Sequence, residues 1–155
     1  MNLLKPIWLV EDSADDIELT LAALESIHLA NRVIVMRDGS EAIDRLRDLD
    51  GNDALPGVIL LDIKMPKVSG IDVLRHIKGD LRLRGLPVVM LTSSRQGPDL
   101  AECYALGANA YVVKPVESTA FIEAVTTVGK FWAVVNERLE AGGVCEVAHA
   151  HLAEK

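Results

Sequence analysis

Cysteine is nearly absent: Cys103 and Cys145 are the two in a chain of 155 residues. They lack the CxxC spacing of a metal clip and are too few for a disulfide framework, so both read as reduced thiols. Aromatic residues are also scarce, and only Phe131 and Trp132 are neighbours, which leaves no platform for stacking bases. Positive charge is outweighed, with 16 Lys and Arg against 23 Asp and Glu and a net charge of -7. Contacts to nucleic-acid phosphates need clustered Lys and Arg. No basic stripe is visible, so nucleic acid is not the expected partner. Long apolar runs are missing too; none approaches the ~20 residues of a membrane span. The opening MNLLKPIWLVED does not read as a signal peptide, because Glu11 interrupts the apolar run. No repeat or low-complexity segment occurs. A soluble cytoplasmic protein built on one domain is expected, and its hydrophobic half is enough for a substantial core.

What is present alternates. Short apolar runs occur at Ile7–Val10, Val33–Met36, Val58–Leu61, Val88–Leu91 and Ala110–Val113. They are rich in Val, Ile and Leu without polar alternation, as strands are when both faces of a parallel sheet are covered. Helical patterns lie between them. Ile17, Leu21 and Leu24 follow Ser13, and Ser13 with Asp16 resembles a capping box. Ile43, Leu46 and Leu49 follow Ser40, and Ile71, Leu74 and Ile77 keep the same spacing. Pro98 suits the first turn of a helix that Gly107 ends, and a last helix begins near Ser118. Five β-α units predict an α/β fold with a parallel sheet and helices on both faces.

Ligands of such sheets bind beyond the carboxyl ends of the strands. The residues found there are Glu11 and Asp12, Asp62, Thr92 and Lys114. Each alone has an ordinary reading: Glu11-Asp12 as an acidic helix cap, Asp62 as a turn residue, Thr92 as the start of an ST-turn, Lys114 as a solvated strand end. Together they make three acids, a hydroxyl and an amine at one sheet edge, which packing does not require. Carboxylates this close repel and raise each other's pKa. A hard divalent cation such as Mg²⁺ relieves this. Asp62 could then act as nucleophile and form an aspartyl phosphate. The cation and Lys114 would stabilise charge on the phosphoryl group, and Thr92 could bond one of its oxygens.

The pieces LVED (9–12), LLDIKMPKVSG (60–70), VVMLTSS (88–94) and GANAYVVKPV (107–116) resemble, in order, the CheY-like receiver domains of two-component response regulators. The resemblance implies a doubly wound, flavodoxin-like sheet of order 2-1-3-4-5. It implies that Asp62 is the phosphoacceptor, and that Asp12 ligates Mg²⁺ directly while Glu11 acts more through water. The backbone carbonyl of Lys64 would be the third protein ligand. Thr92 would be the switch hydroxyl and Lys114 the conserved-type lysine of the family. Tyr111 would be the aromatic switch, with an ordinary edge-strand aromatic as its alternative. Lys114–Pro115 would be a cis peptide, as X-Pro permits. Gly70 would allow a backbone turn that a side chain hinders, and the small Ser93 and Ser94 would leave the acceptor accessible. The Lys64 side chain reads as solvated.

The family's last helix typically ends near Lys130, and 25 residues follow it here. They are too few for a DNA-binding or enzymatic output domain, so residues 1–130 read as a receiver and 131–155 as a helical extension. Phe121, Val125, Val128, Trp132, Val135 and Leu139 are spaced as a heptad-like seam. A helix from Ser118 to Leu139 would be about 33 Å long, more than the domain needs. Its apolar end, including Phe131, Trp132, Val135 and Leu139, then predicts a homodimer; the alternative is folding back on its own domain. Gly142-Gly143 should break the helix, and His149 and His151 read as a polar tail. The Phe131-Trp132 region and LRGLPVVMLTSS are similar to the small receivers that accompany bacterial phytochrome kinases. The partner implied by the family is a sensor histidine kinase, and the narrower similarity implies a bacteriophytochrome. Two rivals remain. Haloacid-dehalogenase-type phosphatases need a second Asp two residues after the nucleophile, where this chain has Lys64. A phosphorylation-independent adaptor would have no need of the complete Asp12, Asp62, Thr92 and Lys114 set.

Overall fold

The computed structural model describes residues 4–51 and 53–137. Five strands, β1 (Ile7–Val10), β2 (Val33–Met36), β3 (Val58–Leu61), β4 (Val88–Thr92) and β5 (Ala110–Val113), alternate with five helices. The helices are α1 (Ala14–Ser26), α2 (Gly39–Asp48), α3 (Gly70–Gly79), α4 (Gly97–Leu106) and α5 (Ser118–Lys130). All strand pairs are parallel and the order is β2-β1-β3-β4-β5. The strand bounds coincide with the apolar runs, except that β4 extends by one residue to Thr92.

The unbroken apolar character of the central strands follows from their two-sided burial. Successive residues go to opposite faces. Trp8, Val10, Ile59, Leu61, Val88 and Met90 pack with α2, α3 and α4. Ile7, Leu9, Val58, Leu60, Val89 and Leu91 pack with α1 and α5. Every residue of β1, β3 and β4 is buried, whereas the edge strand β5 is only half-buried. Strand β1 sits between β2 and β3, so the direction of winding reverses there, and the carboxyl ends of β1 and β3 flank the resulting crevice.

Local caps set the helix ends. Helix α2 starts earlier than the periodicity after Ser40 suggests: the Asp38 carboxylate accepts from Glu41 N–H at 2.8 Å. Pro98 lies in the first turn of α4, and Gly107 ends that helix in the left-handed region at φ 105°.

The C-terminal helix departs from expectation in two ways. It widens after α5 into one π-helical turn, Phe131–Val135, and stops, with Asn136 extended and its N–H donating to Phe131 O at 2.7 Å. The β-branched pair Val134-Val135 and Asn136 are poor helix formers, which accounts for an end before Leu139. Trp132, expected to lack cover, packs half-buried against the core under α1 and α5. Gly129 permits this close packing, because a Cβ there would lie 2.7 Å from Leu24 Cδ2 on α1. Within this turn Phe131, Val134 and Val135 remain exposed. Leu139, Gly142, Gly143, Cys145, His149 and His151 lie outside the described residues. Among the described residues no helix is long and apolar enough to cross a membrane.

Candidate functional site

The strand ends carry the site. Glu11 N–H continues the β1–β2 ladder by donating to Met36 O at 3.0 Å, and Asp62 N–H donates to Val10 O at 3.1 Å. These bonds place the acids side by side at the β1/β3 crevice. Glu11 is 2% exposed and Asp62 7% exposed, while Asp12 faces solvent. Thr92 ends β4 fully buried. Lys114 follows β5, held by its N–H to Thr92 O at 2.7 Å. The five residues singled out by their position in the sequence are therefore brought to one edge.

Lys114 organises the charge. Its Nζ is paired with Glu11 Oε2, with Asp16 Oδ2 at 2.8 Å and with Asp62 Oδ2 at 3.3 Å. Burial pushes the Glu11 carboxyl up to about 7, with the Asp62 charge adding to it and the Lys114 hydrogen bond opposing it. Burial alone would push the Lys114 ammonium down. Its hydrogen bonds to Asp16 and Glu11 and the charge of Asp62 overcome this, and the net shift is upward.

One carboxylate oxygen from each of Glu11, Asp12 and Asp62 lies within 4.8 Å of the others. Three hard, anionic oxygens at this separation, one of them solvent-facing, fit a divalent cation that keeps part of its water shell. Lys64 follows two residues after Asp62 and is exposed.

The loop after Asp62 is built around a close backbone approach. Asp62 Oδ1 accepts from Ile63 N–H at 2.8 Å, and Gly70 N–H donates to Ile63 O at 2.8 Å. A Cβ on Gly70 would lie 1.8 Å from Asp62 O. Glycine is thus needed here for proximity rather than for a positive φ. Between them Lys67 adopts φ 67°, and Val68 N–H closes on Pro66 O at 2.8 Å, a strained γ-turn. Ser69 and Asp72 then form a complete capping box that starts α3.

Thr92 is engaged as an ST-turn suggests: its Oγ1 accepts from Ser94 N–H at 3.3 Å. Ser94 does more than leave space. It is buried, donates through Oγ to Asp99 Oδ2 at 2.5 Å, and its carbonyl accepts from the Tyr111 hydroxyl at 2.9 Å. Tyr111 is half-buried against the core, and burial raises its phenol pKa. The Lys114–Pro115 peptide is trans, contrary to the cis expectation; no cis bond occurs among the described residues. X-Pro amides still favour trans by about 0.5–1 kcal/mol, and the bond from Lys114 N–H to Thr92 O already fixes the strand end.

Asp16 and the Ser94–Asp99 pair join this edge without being expected from the sequence. Asp16 had a signal, the Ser13-x-x-Asp16 spacing, but it pointed to capping alone. Ser94–Asp99 had none. The concavity beside Trp8 and Arg45, about 630 Å³, is lined at the amino ends of β1 and β2 and includes no site residue.

Comparison with known proteins places these features in a family. The response regulator receiver domain profile matches residues 7–126. The fold is similar to that of the phosphorylated cyanobacterial phytochrome response regulator RcpA, with TM-score 0.83, 34% identity, and 89% of this chain and 100% of that chain covered. It is similar to the Mn(2+)-bound form of the response regulator Rcp1, with TM-score 0.81, 33% identity, and 88% and 99% covered; a curated Rcp1 sequence comes from Synechocystis sp.. The bacteriophytochrome response regulator AtBRR is 52% identical, with TM-score 0.67 and 87% and 99% of the two chains covered.

Proposed function

The chain belongs to the response regulator receiver domain family, and on that premise we propose that Asp62 accepts a phosphoryl group from a sensor histidine kinase. The observation that carries this is the Lys114 ammonium 3.3 Å from Asp62 Oδ2, with Glu11 and Asp12 completing the acidic group. An Asp62 carboxylate oxygen attacks phosphorus and forms the P–O bond. The P–N bond to the kinase imidazole breaks, its electron pair stays on that nitrogen, and the nitrogen is left free to take a proton.

Glu11, Asp12, Asp62 and the Lys64 carbonyl would hold Mg²⁺, which when bound neutralises charge on the phosphoryl oxygens. Lys114 supplies a second cation from the β5 side. Asp62 is itself only 7% exposed, which limits the access of water to the acceptor. Thr92, released from Ser94 N–H, would turn its hydroxyl to the phosphoryl group, and Tyr111 would report that change on the surface. Lys64 stands where a phosphomonoesterase of the dehalogenase type needs its acid/base Asp, so the reaction is a single acceptance with slow hydrolysis rather than turnover. A phosphorylation-independent adaptor is disfavoured by the intact Lys114–Asp62 contact.

Similarity to AtBRR and RcpA supports a bacteriophytochrome as the kinase. Residues 1–130 are the receiver and 131–155 an extension, and the protein acts in the cytoplasm. Exposed Phe131, Val134 and Val135 support a second copy of this chain as the cover for that face. The test of the acceptor is incorporation of label from acetyl phosphate with Mg²⁺. Label is expected in the wild type and not in Asp62→Ala; equal label in both would overturn the assignment.

A further inference from the structure

The chain holds two Ser-x-x-Asp helix starts, and they are used differently. At Ser69 the motif closes on itself: Asp72 N–H donates to Ser69 Oγ, and Ser69 N–H returns to Asp72 Oδ2 at 3.2 Å. At Ser13 only half of it forms. Asp16 N–H donates to Ser13 Oγ at 3.3 Å, but Ser13 N–H is taken by Glu11 Oε1 at 3.1 Å. The Asp16 carboxylate, relieved of capping, accepts instead from Lys114 Nζ at 2.8 Å.

This arrangement matters because Lys114 has three N–H donors and three carboxylate partners. Two of the partners, Glu11 and Asp62, belong to the group that can hold a cation. A cation bound there would share their oxygens. Asp16 is outside that group, and its backbone is fixed by the α1 cap below it and by the Thr20 hydroxyl donating to its carbonyl at 2.7 Å.

We propose that Asp16 is a positioning residue for Lys114, the carboxylate that keeps the ammonium beside Asp62 when a divalent cation occupies the other acids. This rests on the reading of Asp62 as phosphoacceptor. Asp16 touches neither the cation nor the phosphoryl group; it acts through the lysine.

The test uses the full-length protein and the variants Asp16→Asn, Lys114→Ala and both together. Hydrogen exchange of the Lys114 ammonium, read by nitrogen NMR with Mg²⁺ alone, should be about tenfold faster in Asp16→Asn, the scale of one lost charge-assisted hydrogen bond. Unchanged exchange would overturn the proposal. Phosphorylation by acetyl phosphate should slow by roughly five- to tenfold in Asp16→Asn for the same reason, and the substitution should cause no further loss in the Lys114→Ala background. No slowing in the wild-type background, or an equal slowing in both, would place the action elsewhere and overturn it. Mg²⁺ affinity should stay within about threefold, because a half-exposed charge off the cation acts through screened solvent. A loss matching that of Asp12→Asn would make Asp16 a metal ligand instead. If the wild type takes no phosphoryl group at all, the acceptor reading fails, while the ammonium exchange still decides the role of Asp16.

Discussion

Substituting Gly70 by Ala would put a methyl group 1.8 Å from the carbonyl oxygen of Asp62, 2.7 Å from its carbon and 2.9 Å from Ile63 Cα. All three atoms are backbone, so no side chain can rotate aside. To reach even 3.0 Å the two segments must part by about 1.2 Å, the difference between 3.0 and 1.8 Å. Overpacking of this kind costs about 1–3 kcal/mol. Parting also stretches the bond from Gly70 N–H to Ile63 O, worth about 1 kcal/mol. A loss of about 2–4 kcal/mol is a large share of the 5–15 kcal/mol that holds a domain together. The same displacement moves the nucleophile, and a misplacement near 1 Å can cost about 10²-fold in rate. Gly79→Ala is the control: it lies at the end of α3 with nothing within 4 Å of its Cβ, and Ala should be neutral or stabilising by up to about 1 kcal/mol. Urea unfolding and acetyl phosphate labelling of both variants read the two effects. A Gly70→Ala protein as stable and as fast as Gly79→Ala would refute the close-approach argument.

Glu11, raised by burial to about 7 from an ordinary 4.5, holds its proton more tightly folded than unfolded. Its contribution to metal-free stability is therefore present below pH 4.5 and lost as pH rises through about 7; the urea midpoint of wild type relative to Glu11→Gln should fall between about pH 5 and pH 7.5, and a rise would contradict the burial assignment. Asp12→Asn should weaken Mg²⁺ binding, by titration, more than Glu11→Gln does, because Asp12 faces solvent while Glu11 is tied to Lys114; the reverse order would exchange their roles. A dimer through the π-helical turn predicts that Phe131→Ala with Val135→Ala sediments lighter than wild type at micromolar concentration, since each buried side chain contributes about 1.5–3 kcal/mol; equal sedimentation would remove that face from any dimer.

The strands and the positions of the candidate site residues are legible because burial in the sheet writes itself as unbroken apolar runs, and Glu11, Asp62, Thr92 and Lys114 each stand one residue beyond such a run. Glu11, Asp62 and Lys114 needed only position. The spacing of Ser13 and Asp16 points to a cap alone, because the competitor for Ser13 N–H, Glu11, acts through side-chain geometry that spacing does not encode. Ser94 looked like a small spacer because its partners Asp99 and Tyr111 come from α4 and β5. Trp132 was expected to need a partner chain. Its cover comes from its own core through an approach that Gly129 allows, a pairing of α5 with α1 that the seam alone cannot show. Val134, Val135 and Asn136 are a weak signal for the early end of the helix, and the heptad spacing points the other way.

Mass spectrometry of the protein after exposure to acetyl phosphate and Mg²⁺ tests the central claim most directly. One phosphoryl group on the peptide carrying Asp62, released by hydroxylamine as an acyl phosphate and missing from Asp62→Ala, is the predicted result. A phosphoryl group on another residue, or a wild-type protein that acquires none, would contradict it.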